Sequence, residues 1–253
     1  MTNSLHFRSV LVRVTVALAG LFLVAGSALA QEGARLEEAG ARVTNIASLQ
    51  SGARTFFNYC SGCHSLKYMR YSRIAQDLQL SDDAVLKNFA TADARIGDLA
   101  MSAMPDDKAE QWFGKAPPDL SLEARAKGDD WIYTYLKSFY VDPTRPTGWN
   151  NTLFPNVSMP FPLWELQGVQ TPVYAPAKPG EEPVVEKLEL STPGRLTPAQ
   201  YDDTVRDLTA FLEYASEPAA LQRHAIGVWV LLYLAFLTLL AYLLKHEYWK
   251  DVH

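Results

Sequence analysis

The residues Cys60-Ser61-Gly62-Cys63-His64 carry the densest chemistry in this chain. Two thiols three positions apart at a helix end can reach the two vinyl groups on one edge of a porphyrin. The adjacent imidazole then lies beneath the iron as an axial ligand. The Cys-x-x-Cys-His pattern therefore implies covalent attachment of a c-type haem, one per chain. Cys60 and Cys63 are the only cysteines in the sequence, so no other thiol competes for the role and no disulfide is expected.

Two other chemistries use such cysteines. A redox dithiol needs a low-pKa thiol at a helix start, usually inside a βαβ unit; here an amphipathic run, Ser51 to Tyr59, precedes the pair. A zinc site needs about four ligands. Of His6, His64, His224, His246 and His253, only His64 falls between positions 7 and 223.

The second axial position decides the chemistry, because an open iron favours ligand activation and a filled one favours electron transfer. With histidine ruled out of the central body, methionine is the next natural ligand. Met69 is too close in sequence to His64 to pass to the opposite haem face. Met101 and Met104 sit in Ala-Met-Ser-Ala-Met-Pro. Met159 sits in Asn156-Val157-Ser158-Met159-Pro160, within a loop rich in Phe, Pro and Trp that could wall the haem from water. Sequence mechanics leave Met159 and Met104 level, and core filling is the ordinary work of a methionine.

These residues need elements to hold them. Ser51 to Tyr59 reads as a short helix delivering the motif. Ser81 opens another through Phe89, with Asp82 and Asp83 in its first turn. Ala116-Pro117-Pro118-Asp119-Leu120-Ser121 reads as a rigid loop, since two prolines fix two φ angles. Asp129 to Tyr140 has an apolar stripe of Trp131, Ile132, Tyr135, Leu136 and Phe139 and predicts a helix. Gln167 to Gly194 has no helical period and predicts a loop with a short hairpin around Val184 to Leu190. Thr197-Pro198-Ala199-Gln200 is a capping box with proline at the first helical position. Tyr201, Val205, Leu208, Leu212 and Ala215 then mark one helix face, and Pro218 ends it. Amphipathic helices at both ends of the body suit a small, mostly α-helical haem domain, with Pro-rich loop insertions, in which the terminal helices cross.

Two apolar stretches flank this body. Val10 to Ala30 follows Arg8 and Arg13 and closes Ser-Ala-Leu-Ala, which reads as an export signal over residues 1–30, cleaved after Ala30; the alternative is a retained N-terminal anchor. Ala225 to Leu244 is uncharged and about twenty residues long, enough to span a bilayer. Trp229 and Tyr233, then Tyr242, Tyr248 and Trp249, suit the two interfaces. The expected organisation is a periplasmic body at 31–221, an anchor helix at 222–245 and a cytoplasmic tail at 246–253, in a bacterial inner membrane. The formal charge is −5 at pH 7, and losing Arg8 and Arg13 with the leader makes it more negative. An acidic exported domain does not suit nucleic acid but can steer a basic protein partner.

Taken together, these residues resemble a family. Gly52-Ala53-Arg54 leading into Tyr59-Cys60-Ser61-Gly62-Cys63-His64-Ser65, then Tyr68-Met69-Arg70-Tyr71, is similar to cytochrome c1, the haem subunit of the cytochrome bc1 complex, a quinol–cytochrome c reductase. Ala116-Pro117-Pro118-Asp119-Leu120-Ser121 matches that family's Pro-Pro-Asp-Leu-Ser loop. Gly148-Trp149-Asn150-Asn151 through Phe154-Pro155 and Met159-Pro160 resembles its distal loop, and Ala215, Glu217-Pro218 and the single C-terminal span match as well. The resemblance implies a haem domain of cytochrome c type, with Met159 as the second axial ligand beside His64 and with Pro117, Pro118 and Arg125 around the haem. Lys127 stands where related chains often have a second arginine near a propionate; lysine keeps the charge and loses the bidentate fork. There is no second cysteine pair, so the extra disulfide of some bacterial relatives is absent. The resemblance further implies one-electron transfer from a Rieske iron–sulfur protein to a cytochrome c, beside cytochrome b, with no catalytic acid or base of its own. The competing readings are a haem subunit of another respiratory complex such as a terminal oxidase, a peroxidase with an open iron, and a tethered assembly protein.

Overall fold

In a computed structural model of the chain, residues 36–176 and 183–251 are described; the expected leader lies outside them. About half of the described residues are helical. The element that delivers the motif is α1 (Ile46–Tyr59), capped by Asn45, whose side chain accepts from the Ser48 N–H. It starts five residues before the expected Ser51, because Asn45 is the better N-cap and Ile46 and Leu49 extend the apolar face. Strand β1 (Leu66–Arg70) follows, then α2 (Tyr71–Asp77) and α3 (Asp82–Phe89). Ser81 caps α3 as expected, accepting from the Ala84 N–H at 3.2 Å. Strand β2 (Leu99–Ala100) pairs antiparallel with β1. Short helices α4 (Asp106–Phe113) and α5 (Glu123–Lys127) lie either side of the proline loop.

Helix α6 (Asp129–Lys137) is shorter than the expected span to Tyr140. Ser138 closes it, and Phe139–Val141 leaves as strand β3 to pair with β4 (Trp149–Asn151). The Ser138 carbonyl accepts from the Thr152 N–H and the Asp142 N–H donates to the Gly148 carbonyl, so the backbone between them is held in the ladder and cannot also continue a helix. After the one-turn α7 (Trp164–Gln167) comes the largest departure from expectation. Strand β5 (Gly168–Tyr174) pairs along its whole length with β6 (Val185–Pro193), so the expected short hairpin within a loop is instead a long two-stranded ribbon. Pro172 hid the first strand, since proline argues against strand except at an edge, and a two-stranded ribbon is all edge. The base of the ribbon closes on two glycines: a Cβ on Gly168 would lie 2.2 Å from the Thr192 carbonyl oxygen, and one on Gly194 2.4 Å from the Leu166 carbonyl oxygen.

Helix α8 (Pro198–Ser216) begins with the expected capping box, both reciprocal bonds present. It crosses α1, and the core forms there from Leu49, Ala53 and Phe56 against Val205, Leu208, Phe211 and Ala215. The Phe56 and Phe211 rings lie 5.6 Å apart. On its other side Phe57 stacks on Phe89 of α3 at 4.8 Å. The segment before α1 is pinned to α6 and α8: the Ala39 N–H donates to Asp130, the Arg206 Nε donates to the Ala39 carbonyl, and Lys137 bridges Glu37 and Asp202. Helix α9 (Ala220–Tyr248) is 29 residues long; its stretch Ile226–Tyr248 is long and apolar enough to cross a membrane, and none of it is buried against the chain.

Candidate functional site

The motif grows directly out of α1. Cys60 closes the helix, its N–H donating to the Phe56 carbonyl at 2.8 Å, and the His64 N–H returns to the Cys60 carbonyl at 2.9 Å. Cys60 through His64 thus form one tight turn on a helix end packed into the core. Both thiols are free. Burial pushes the Cys60 thiol up to about 12, with Cys63 adding to the rise, and burial raises Cys63 as well. Reactive redox thiols need the opposite shift, so a thioredoxin-like role does not fit. Among the described residues no three His, Cys, Asp or Glu side chains form a metal-holding group.

His64 is fixed by the proline loop. Its Nδ1 lies 2.8 Å from the Pro118 carbonyl oxygen; a carbonyl only accepts, so Nδ1 carries the proton and Nε2 keeps its lone pair for a metal. Burial lowers the pKa of His64, against weaker opposing effects from Pro118, Glu123 and Asp119, which favours the neutral imidazole that a metal requires. The loop itself is laced to the chain just after the motif. The Leu120 N–H donates to the Ser65 carbonyl at 3.0 Å, the Lys67 N–H to Asp119 at 2.8 Å, and the Tyr68 N–H to the Ser121 hydroxyl at 3.1 Å. Asp119 also accepts from the Ser121 N–H at 3.1 Å, a turn closed by its own side chain. Rigid prolines were legible in the sequence; Asp119 and Ser121 as tethers were not, although Asp two residues before Ser is an Asx-turn signal.

The methionines separate. Met69 is buried in the core and Met101 is exposed. The Met104 loop is tied to the motif turn and the residue after it, with the Ser102 N–H donating to the Ser65 hydroxyl and the Ser102 hydroxyl to the Gly62 carbonyl, both at 2.8 Å. Met159 is half-buried against the core, and its Sδ lies 3.5 Å from the Tyr135 hydroxyl. Two buried asparagines build its loop. Asn150 Oδ1 accepts from the N–H groups of Asn151 and Asn156, and its Nδ2 donates to Asp142. Asn151 Oδ1 accepts from Leu153 and Phe154, and its Nδ2 donates to the Tyr135 carbonyl at 2.8 Å. Phe161 stacks on Phe139 at 4.8 Å with Trp149 edge-on at 5.4 Å, an aromatic wall behind the loop.

Of the residues expected around a haem, Pro117 is half-buried, while Pro118 and Arg125 are exposed. Arg125 makes no ion pair or side-chain hydrogen bond with another described residue, whereas Lys127 sits 5.3 Å over the Trp131 ring. The donor set fits a haem: two unpaired thiols on one turn, an imidazole oriented through its far nitrogen, and a thioether on a separately braced loop.

Fold and site define a class, that of membrane-anchored, mostly helical proteins with a single Cys-x-x-Cys-His haem motif. The model of the family described as "Cytochrome C1 family" matches residues 41–171 and 192–252. A cytochrome c1 of Allochromatium vinosum is 53% identical over 239 residues, covering 93% of this chain and 98% of the relative. A Nitrosomonas europaea protein named ammonia monooxygenase gamma subunit is 43% identical over 206 residues, 81% of this chain and 84% of its own. A cytochrome c1 of Rhodospirillum rubrum is 30% identical over 226 residues, 81% of each. The chain belongs to the cytochrome c1 family. Membership supports haem-based electron transfer within the cytochrome bc1 complex.

Proposed function

We propose that this chain binds one haem covalently through Cys60 and Cys63, with His64 and Met159 as axial ligands, and relays single electrons from a Rieske iron–sulfur protein to a cytochrome c. The observation that carries the reading is the His64–Pro118 bond, which leaves Nε2 as the one ring nitrogen able to ligate. When bound, the haem supplies a one-electron couple whose potential methionine–histidine ligation raises. The chain's own work is positioning. The Pro117–Ser121 loop holds the imidazole in one tautomer, Asn150 and Asn151 hold the Met159 loop, and the Phe139, Trp149 and Phe161 rings exclude water. The exposed Arg125 is available for a propionate. Lys127, committed to the Trp131 face, serves that role less well.

The same reading gives residues 1–30 as a cleaved leader, 31–221 as a periplasmic domain, 222–245 as the anchor beside cytochrome b, and 246–253 as a cytoplasmic tail. The acidic balance of the chain favours a basic acceptor cytochrome. The gamma-subunit name borne by one relative supports a second reading, a carrier serving a different oxidase. Reduction of the haem by quinol in membranes, blocked by loss of cytochrome b, separates the two.

The ligand assignment is tested on Met159→Ala. Loss of the weak near-infrared sulfur-to-iron band of the ferric protein is expected. Retention of the band sinks the assignment and makes Met104 the next candidate.

A further inference from the structure

Tyr135 lies on α6 between two aromatic neighbours. Trp131 stacks on it at 5.0 Å and 10°, and Phe139 meets it edge-on at 5.0 Å. Clamped on both sides, the ring has little freedom to swing. Its hydroxyl has one hydrogen-bond partner among the described residues, the Met159 Sδ at 3.5 Å. Its backbone carbonyl accepts from Asn151, the residue whose other amide atom caps the chain into the Met159 loop. Tyr135 is therefore tied to that loop twice, through main chain and through side chain. A thioether is a weak acceptor, an unusual sole partner for a phenol unless the sulfur's placement matters. A phenol carries its proton at neutral pH, so the hydroxyl is the donor of this pair.

We propose that Tyr135 is a positioning residue for Met159, its hydroxyl engaging one sulfur lone pair and leaving the other directed to the iron; this rests on the Met159 ligand reading above. The arrangement parallels Pro118 acting on His64, a second partner fixing which lone pair is presented. It also has an electronic consequence. A hydrogen bond draws density from sulfur, which weakens it most as a donor to ferric iron and so favours the ferrous state.

Tyr135→Phe tests this, because phenylalanine keeps the ring and both aromatic contacts and removes only the hydroxyl. The measurements are the midpoint potential and the ferric near-infrared band of the membrane-bound holoprotein, beside Met159→Ala. A hydrogen bond of ordinary net strength predicts a fall of about two- to tenfold in ferrous-over-ferric preference, tenfold being 59 mV for one electron. The band should shift while haem content holds. A merely structural tyrosine would leave both readings unmoved. If Met159→Ala abolishes the band and Tyr135→Phe changes neither band nor potential, this inference fails and the ligand reading stands. If Met159→Ala retains the band, the ligand reading fails and takes this inference with it.

Discussion

Single side chains here act mostly by holding other side chains. Asp119 is the clearest case: one carboxylate accepts from Lys67 and from Ser121, and so fastens the loop whose Pro118 carbonyl fixes His64. Glu213 is the opposite case, a charge in a poor place. Burial raises its pKa first, and repulsion from Asp129 and Glu217 adds to the rise. A carboxyl that holds its proton more tightly in the folded chain costs stability as pH climbs from the unfolded value through the folded one. Glu213→Gln is therefore expected to raise the melting temperature at neutral pH. The gain should shrink to nothing below about pH 4, where the unfolded carboxyl is also protonated. Thermal melts of both proteins across that range check it; an equal gain at all pH values would point to packing instead. At this scale the motif was fully legible, because its five residues are adjacent. The Asp119, Asn151 and Tyr135 contacts were not, since each partner lies elsewhere in the chain and only folding brings them together. The Met159–Met104 tie had the same cause. Spacing cannot say which loop is laced beside the motif, and the structure ties the Met104 loop to Gly62 and Ser65.

Among elements, the α1–α8 crossing sets everything else, because the haem motif is the continuation of α1. The helices meet at Gly52, where a Cβ would lie 2.0 Å from the Asp207 carbonyl oxygen and 2.8 Å from Phe211 Cβ. Those are atoms of a helix, not the loose end of a side chain, so nothing gives way cheaply. Gly52→Ala is expected to destabilise the domain by about 3 kcal/mol or more, at the upper end of overpacking penalties, and to lower the yield of haem-loaded protein in membranes. Denaturation of any recovered protein measures it; a melting point equal to the parent's would mean the helices part without cost. The crossing itself was legible, since the capping box at Thr197 and the apolar face of α8 both follow helical rules. The contact residue was not, for a glycine in a helix announces only that something is close. The β5–β6 ribbon was misread because Pro172 and the exposed, charged faces of β6 mimic a loop. The short helices α2, α4 and α5 lack the length over which periodicity becomes a signal.

At the scale of the whole molecule, two solvents govern one chain. The packed core ends where α9 begins: Ala220 is buried and Leu221 packs on the core, while Ile226 to Tyr248 contributes nothing to it. Trp229, Leu231 and Leu232 on α9 are exposed among a row of other apolar side chains. In water that surface is costly at roughly 25 cal/mol per Å², and in a bilayer the cost vanishes. The backbone of a continuous helix satisfies its own hydrogen bonds there. The domain and the anchor should therefore separate cleanly. A chain ending at Gln222 keeps Ala220 and Leu221 on the core and drops the apolar helix. Expressed with its leader, it is expected to fractionate as a soluble haem protein with the melting temperature of the full-length chain's domain, whereas the full chain needs detergent. Truncated protein that still sediments with membranes would show that another surface of the domain holds it there. Truncated protein that melts markedly lower would show that α9 stabilises the fold as well as tethering it.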